Sequence, residues 1–322
     1  MTITFRPGLL PNDPSRARLH LSPYLTGAPI PVPAAANWDA KVPSWPMYGN
    51  DSWGDCVWAM IGHAIQTWSA NAGVEVTVPV ASLLKGYSDV TGFDPAAGPP
   101  GSNPTDNGTV IQDALDYWRK TGIVAADGSV HKILAFAQVN ISNPAELEAA
   151  VDLFGDALFG INFPASAMDQ FNAGQPWDVV AGSAIEGGHA ICSGRYGVSG
   201  AVLWEIITWA KAQGMTDAFR ARYLSEAWVA ISPEWVEANG LTPTGLNLQA
   251  LGHDFSVLTG APNPFPAPTP PAPPAFPGTL VAAVQAAAAD PTVSKWIGGH
   301  HLLTADKDVA AHLTAILAAP RA

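Results

Sequence analysis

A thiol and an imidazole can together break an acyl bond, and this chain presents one pair worth testing for it, Cys56 and His189. The stretch MYGNDSWGDCVW (47–58) sets Cys56 directly after a Gly-Asp turn and directly before an apolar run. Val57, Met60, Ile61, Ala64, Ile65 and Trp68 recur at helical spacing, which predicts a buried helix opening at Cys56. A helix N-terminus carries about half a positive charge and favours a thiolate. Asp55 pulls the other way, because an adjacent carboxylate disfavours a thiolate, unless its side chain is spent capping the helix. A nucleophilic thiol also needs a base. His189 follows Glu186-Gly187-Gly188, where two glycines let another backbone approach closely. Against this stands the plain alternative that a lone cysteine in an apolar helix is a core residue.

The elements that must position the pair read as helices first and strands after. A second helix is expected at Thr109–Thr121, closed by Gly122, and a third at Pro144–Phe154. ALFGINF, GHAICSGRYG, VLWEIITWA and AWVAISPEW are rich in Val, Ile, Trp and Tyr and are separated by turns, so they read as antiparallel strands. The fold class is α+β. Residues 1–45, proline-rich and aperiodic, read as an extended arm lying on a surface, a candidate docking element. PNPFPAPTPPAPPAFPG, within 262–278, reads as a polyproline linker after a main domain at 46–261. Residues 279–322 read as a small Ala-rich helical segment.

The ordered landmarks resemble a divergent papain-like cysteine peptidase over roughly residues 38–235. Asn50 with Cys56 and Trp58 is similar to that family's Gln, five residues, Cys-Trp pattern. His189-Ala190 followed by Gly194-Arg195-Tyr196-Gly197 is similar to its histidine strand. The separation, 189 − 56 = 133 residues, falls within the ~130–150 of papain-like enzymes. DNGTVIQDALDYWRKTGI and LFGDALFGINFP supply the intermediate landmarks. The resemblance implies a helical subdomain with the cysteine at a helix N-terminus packed on an antiparallel β subdomain, carrying the arm and the C-terminal helical appendage as additions. It implies Cys56 as nucleophile, His189 as base and then acid, and the Asn50 amide with the Cys56 N–H as oxyanion donors. The family's orienting asparagine would fall at Ile207, which has no hydrogen-bonding side chain. Thr208 could replace it only with a one-residue shift of register, which also turns it to the opposite face, and Glu205 is a second substitute. Trp209 matches the tryptophan that shields the family's histidine, and Trp53 and Trp58 flank the cysteine as cleft candidates.

Other residues carry bland expectations. His63 lies on the same helix face as Cys56 but about 10 Å along the axis, too far for proton transfer, and reads as a hydrogen-bonded core histidine. Cys192 is three residues past His189 on a strand, so it faces the other way, which argues against a disulfide with Cys56. The His300-His301 pair reads as a loop; no metal spacing appears, and neither metal nor other cofactor is expected.

The formal charge of −12 in 322 residues, without a Lys/Arg run, sets nucleic acid and anionic membranes aside. No signal peptide or membrane-spanning run is apparent, which points to the cytoplasm, or to a virion if a phage encodes the chain. Two functions stay open. One is a thiol hydrolase acting on peptide or isopeptide bonds of a peptide or protein substrate. The other is a catalytically weak or inactive papain-fold docking protein, for example a virion component of an actinobacterial or actinophage source, assembling through residues 1–45 and 279–322.

Overall fold

The computed structural model describes residues 4–26, 32–200, 202–235 and 246–265. All fall within one compact unit, Met1–Pro266. The Pro-rich linker from 266 onward, the helical segment 279–322 and the His300-His301 pair lie outside the described residues.

Along the chain come β1 (Leu9–Leu10), β2 (Ala36–Asn37), α1 (Cys56–Ala72), α2 (Val80–Thr91), β3 (Thr109–Val110), α3 (Ile111–Lys120), the hairpin β4 (Ile123–Val124) and β5 (Val130–His131), β6 (Ala135–Gln138) and α4 (Pro144–Phe154). Then follow β7 (Ala157–Pro164), α5 (Ala165–Asn172), β8 (Ile185–Ser199), β9 (Val202–Thr208), β10 (Lys211–Thr216), α6 (Asp217–Tyr223), β11 (Leu224–Ile231) and a helix we call α7 (Leu248–Thr259).

Helix α1 opens at Cys56 as its periodicity predicts. Every residue from Cys56 to Ala70 is buried, so the helix is enclosed rather than laid along a surface. Gly73, at φ 115°, takes the left-handed conformation that ends it. The expected second helix loses its first two residues, because Thr109 and Val110 pair instead with Leu9 and Leu10 in a short parallel ladder. The third helix has the expected limits.

The main sheet has the order β10-β9-β8-β7-β11-β6, with β2 added to β8, and all its pairings are antiparallel. Strict alternation splits its side chains between two cores. Phe159, Ile161, Phe163, Ile191, Trp204 and Ile206 face one core with α4, α5 and α6. Leu158, Ala190, Cys192, Ile207 and Trp228 face the other, which contains α1. Helical and β subdomains thus meet across one face of the sheet, with β8 against α1.

The arm does not simply lie on the surface. Leu9, Leu19, Leu21 and Tyr24 are buried. Leu21 donates its N–H to Gln138 O at 2.8 Å, and Leu19 O accepts from Gln138 N at 2.8 Å, so the arm covers the outer edge of β6. Arg16 fastens it to α3 through Asp113 and, at 2.7 Å, Asp116. The prolines set an extended path, but Leu9, Leu19 and Leu21 are buried, while Leu10 stays exposed.

Candidate active site

Cys56 is the first residue of α1, but Asp55 does not cap the helix with its side chain. Its Oδ1 accepts the Asn50 amide at 3.2 Å and its Oδ2 has no partner. Full burial holds this carboxyl well above the ordinary range. The turn ahead of the helix is braced from α2 and the loop before β3. Gly54 N–H donates to both Asp106 oxygens, at 3.0 and 3.1 Å, and Tyr87 donates to Asp106 at 2.8 Å. Asn50 is buried, and besides Asp55 it reaches Trp53 O at 3.4 Å. Its amide hydrogens therefore point back into the turn, not toward an open oxyanion site.

The Cys56 thiol accepts the Ala190 N–H at 3.3 Å, which sets it beside the residue that follows His189. Burial pushes the thiol up to about 12; the Ala190 N–H works against that and the Asp55 carboxylate adds to it. His189 is fully buried and burial lowers it to about 3. Cysteine and histidine are thus both neutral in this closed arrangement.

His189 Nε2 lies 2.8 Å from Thr208 Oγ1. The polar partner of the imidazole is therefore Thr208, not the residue at Ile207. Cys192 pairs directly with Ile207, so these two share a face; His189, three residues before Cys192, and Thr208, one after Ile207, share the other. Ile207 points into the α1 core with Cys56, Ala190 and Cys192. Thr208 needs no register shift, because Trp209 is not in the strand: Trp209 and Ala210 form the two-residue β9–β10 turn at φ 43° and 62°. That turn lays the Trp209 indole flat on the imidazole, with centroids 4.5 Å apart and planes 13° from parallel. Glu205 does not approach His189; it pairs with Arg195 at 2.7 Å.

The tryptophans expected in the cleft separate. Trp53 is half-buried, edge-on to Phe93. Trp58 belongs to the core, fully buried, with Nε1 donating to Thr109 Oγ1 at 3.0 Å, because the residue two past a helix start turns inward toward α2 and α3. His63 is a core histidine on Pro46 O at 2.8 Å, and Cys192 is a buried free thiol.

Unforeseen at the site are residues 4–10. Gly8 donates its N–H to Gly188 O at 3.2 Å and accepts from Thr109 N at 2.9 Å. A Cβ on Gly8 would run into Gly54 O and lie 2.8 Å from the Cys56 sulfur. A Cβ on Gly188 would meet Leu9 O, so the two glycines before His189 admit a backbone, and that backbone is the chain's own. Phe5 stacks on Phe163 at 4.2 Å and presents an edge to His189 at 5.7 Å. With this strap in place Cys56 is only 1% exposed. Hollows flank it on both sides, about 400 Å³ beside Leu9, Ile161, Gly188 and Glu226, and about 720 Å³ beside Phe5, Pro7, Met168 and Glu186.

No protein-family model matches the chain, and no curated protein matches it. Solved structures do. Xylellain, a cysteine protease from Xylella fastidiosa, superposes with a TM-score of 0.55 at 15% identity, over 71% of this chain and 99% of that one. Digestive procathepsin L 3 of Tenebrio molitor larval midgut gives 0.48 at 14% identity, over 66% and 73%. The Carica candamarcensis cysteine protease CMS1MS2 gives 0.46 at 13% identity, over 62% and 99%. The likeness to xylellain shows that the chain has the papain-like α+β fold. Among the described residues, no helix is long and apolar enough to cross a membrane.

Proposed function

We propose that the chain is a thiol hydrolase cleaving peptide or isopeptide bonds, with Cys56 as nucleophile, His189 as base and Thr208 as the residue that orients the imidazole. The observation that carries this reading is the 2.8 Å contact of His189 Nε2 with Thr208 Oγ1, while buried Nδ1 has no partner. With Nε2–H donated to threonine, the lone pair sits on Nδ1, the nitrogen left to take the thiol proton. Sγ then attacks the carbonyl carbon as its proton passes to Nδ1. His189 returns that proton to the leaving amine as the C–N bond breaks, giving a thioester. Water, deprotonated by His189, releases the acid and restores the thiol. The Cys56 N–H and the Asn50 amide serve the oxyanion, the latter once it lets go of Asp55. Trp209 keeps water from the His189–Thr208 contact, and Trp53 lines the cleft.

The test is alkylation by an iodoacetamide probe, mapped by mass spectrometry, with hydrolysis of a fluorogenic peptide pool measured beside it. Cys56 is expected to label faster than Cys192, and both its advantage and the hydrolysis are expected to vanish in His189→Ala. Equal, slow labelling of both thiols, insensitive to His189, would overturn the reading.

A further inference from the structure

The arm, α3 and α7 wall a hollow of about 330 Å³ that the proposed hydrolysis does not use. Its volume is that of a small-molecule site, where apolar walls carry a few converging polar groups. Two of its walls, Arg16–Leu19 of the arm and Phe255 to Thr259 of α7, lie outside residues 38–235, the stretch that resembles papain-like peptidases. Tyr24 joins those walls: its carbonyl accepts the Asn247 N–H at 2.7 Å and its hydroxyl donates to Asp254 at 2.9 Å. Arg18 also borders the hollow beside Gly188; the other lining residues take no part in the site around Cys56.

Four of the chain's 15 Lys and Arg residues line this one hollow, in a molecule of formal charge −12. Arg18 is turned to the carbonyl oxygens of Arg16 and Asp13, and its charge acts on Asp13 and Glu226. The other three crowd around Asp116. Arg16 holds one of its oxygens at 2.7 Å, while Arg119 at 3.4 Å and Lys120 at 3.5 Å share the other. Asp113 adds a second carboxylate, on Arg16. Three cations against two carboxylates leave the charge of one monoanion unanswered.

Arg119 carries most of that deficit. Its side chain is only 13% exposed, its one carboxylate contact is long, and its Nε is buried with no hydrogen-bond partner. A buried charge is costly unless it is paired and hydrogen-bonded. The guanidinium lies over the Phe255 ring at 5.1 Å, which fixes it against an apolar wall. One face away on α3, Gln112 is 3% exposed; its Nε2 donates to Ala17 O at 3.0 Å, and its Oε1 is buried without a partner.

From this arrangement we propose that the hollow binds a small organic monocarboxylate with an apolar body. The carboxylate pairs with Arg119 and Lys120, and the body lies against Phe136, Phe255 and Leu258. Gln112 Oε1 accepts an N–H carried by the body, as an N-acylated amino acid supplies.

The probe is N-acetylphenylalanine, titrated into the full chain and followed by ligand-observed saturation-transfer NMR. Saturable binding is expected with a dissociation constant of about a millimolar or below. The corresponding amide, alike in shape but uncharged, should bind at least tenfold more weakly, as should the acid to Arg119→Gln. Lys120→Glu and Leu258→Glu change exposed positions of the rim and should each weaken the acid roughly three- to tenfold. They carry the test if Arg119→Gln does not fold, which its urea midpoint reports. Inorganic phosphate should displace the acid only at tenfold or greater excess, and displacement at equal concentration would overturn the need for an apolar body. Equal binding of acid and amide, or binding indifferent to both rim variants, would overturn the site. None of these readouts depends on hydrolysis, so the peptidase reading stands or falls separately.

Discussion

The two halves of the candidate site are fixed by different means. On the histidine side, a strand pairing aims Thr208 at Nε2, a two-residue turn lays Trp209 on the ring, and Phe163 closes an edge at 5.5 Å. On the cysteine side, Sγ accepts the Ala190 N–H, the Asn50 amide is turned back to Asp55, and the chain's own Gly8 lies against the sulfur. The first half is held by side chains whose positions the sheet register dictates. The second is held by a carboxyl and a strap. The comparison teaches that strand register alone can fix the surroundings of one residue, while those of its neighbour depend on a buried carboxyl and a crossing segment.

The largest effect expected from disturbing the histidine side is that of Trp209→Ala, which empties a buried indole site and should cost about 3–5 kcal/mol of stability in urea unfolding. A loss below about 1 kcal/mol would mean the indole is not the lid of that side. Thr208→Val keeps shape but strips Nε2 of its partner, and leaving a buried polar group unpaired should cost about 1–3 kcal/mol. Hydrolysis by Thr208→Val should drop much more than labelling of Cys56 does, and Thr208→Ser should restore it. If valine performs as well as threonine, orientation by Thr208 is wrong.

On the cysteine side, where α1 meets β8, Asp39 accepts Thr67 Oγ1 at 3.2 Å and burial raises its carboxyl to about 7. The folded chain then holds a proton that the unfolded chain has lost between the ordinary aspartate value and about 7, so this group's contribution to stability declines as pH rises through that window. Asp39→Asn should gain on wild type with rising pH there, by at most about 1.4 kcal/mol per pH unit in thermal or urea unfolding. A difference independent of pH would mean the carboxyl is already ionised. The smallest effect expected is that of Asp55→Asn, which removes a nearby negative charge and should move the pH profile of Cys56 labelling to lower pH. A shift to higher pH would show that the carboxyl helps the thiolate.

The helix opening at Cys56, the third helix and the main strands were legible because their side-chain periods coincide with their burial. His189 was legible through the glycines before it and its distance from Cys56 along the chain. Thr208 was not. Counting back from Trp209 assumes that the tryptophan lies in the strand, whereas Trp209 and Ala210 adopt positive φ without a glycine to announce a turn. Trp58 was misplaced because a tryptophan beside a nucleophile and one facing a core look alike in sequence; only the Thr109 hydroxyl tells them apart. Asn50 was found, but its bond to Asp55 depends on a buried carboxyl whose protonation no spacing reveals. The strap's path stayed hidden because its ladder has two residue pairs, too few for any period to appear.

The attachment of Leu19 and Leu21 to the edge of β6 has a consequence for self-association. Stripped of this segment, β6 would present the Gln138 N–H and C=O unpaired at the rim of the main sheet, a template on which a strand of another chain can add. Removing residues 19–21 would turn a closed sheet edge into a sticky one, whatever happens at the thiol.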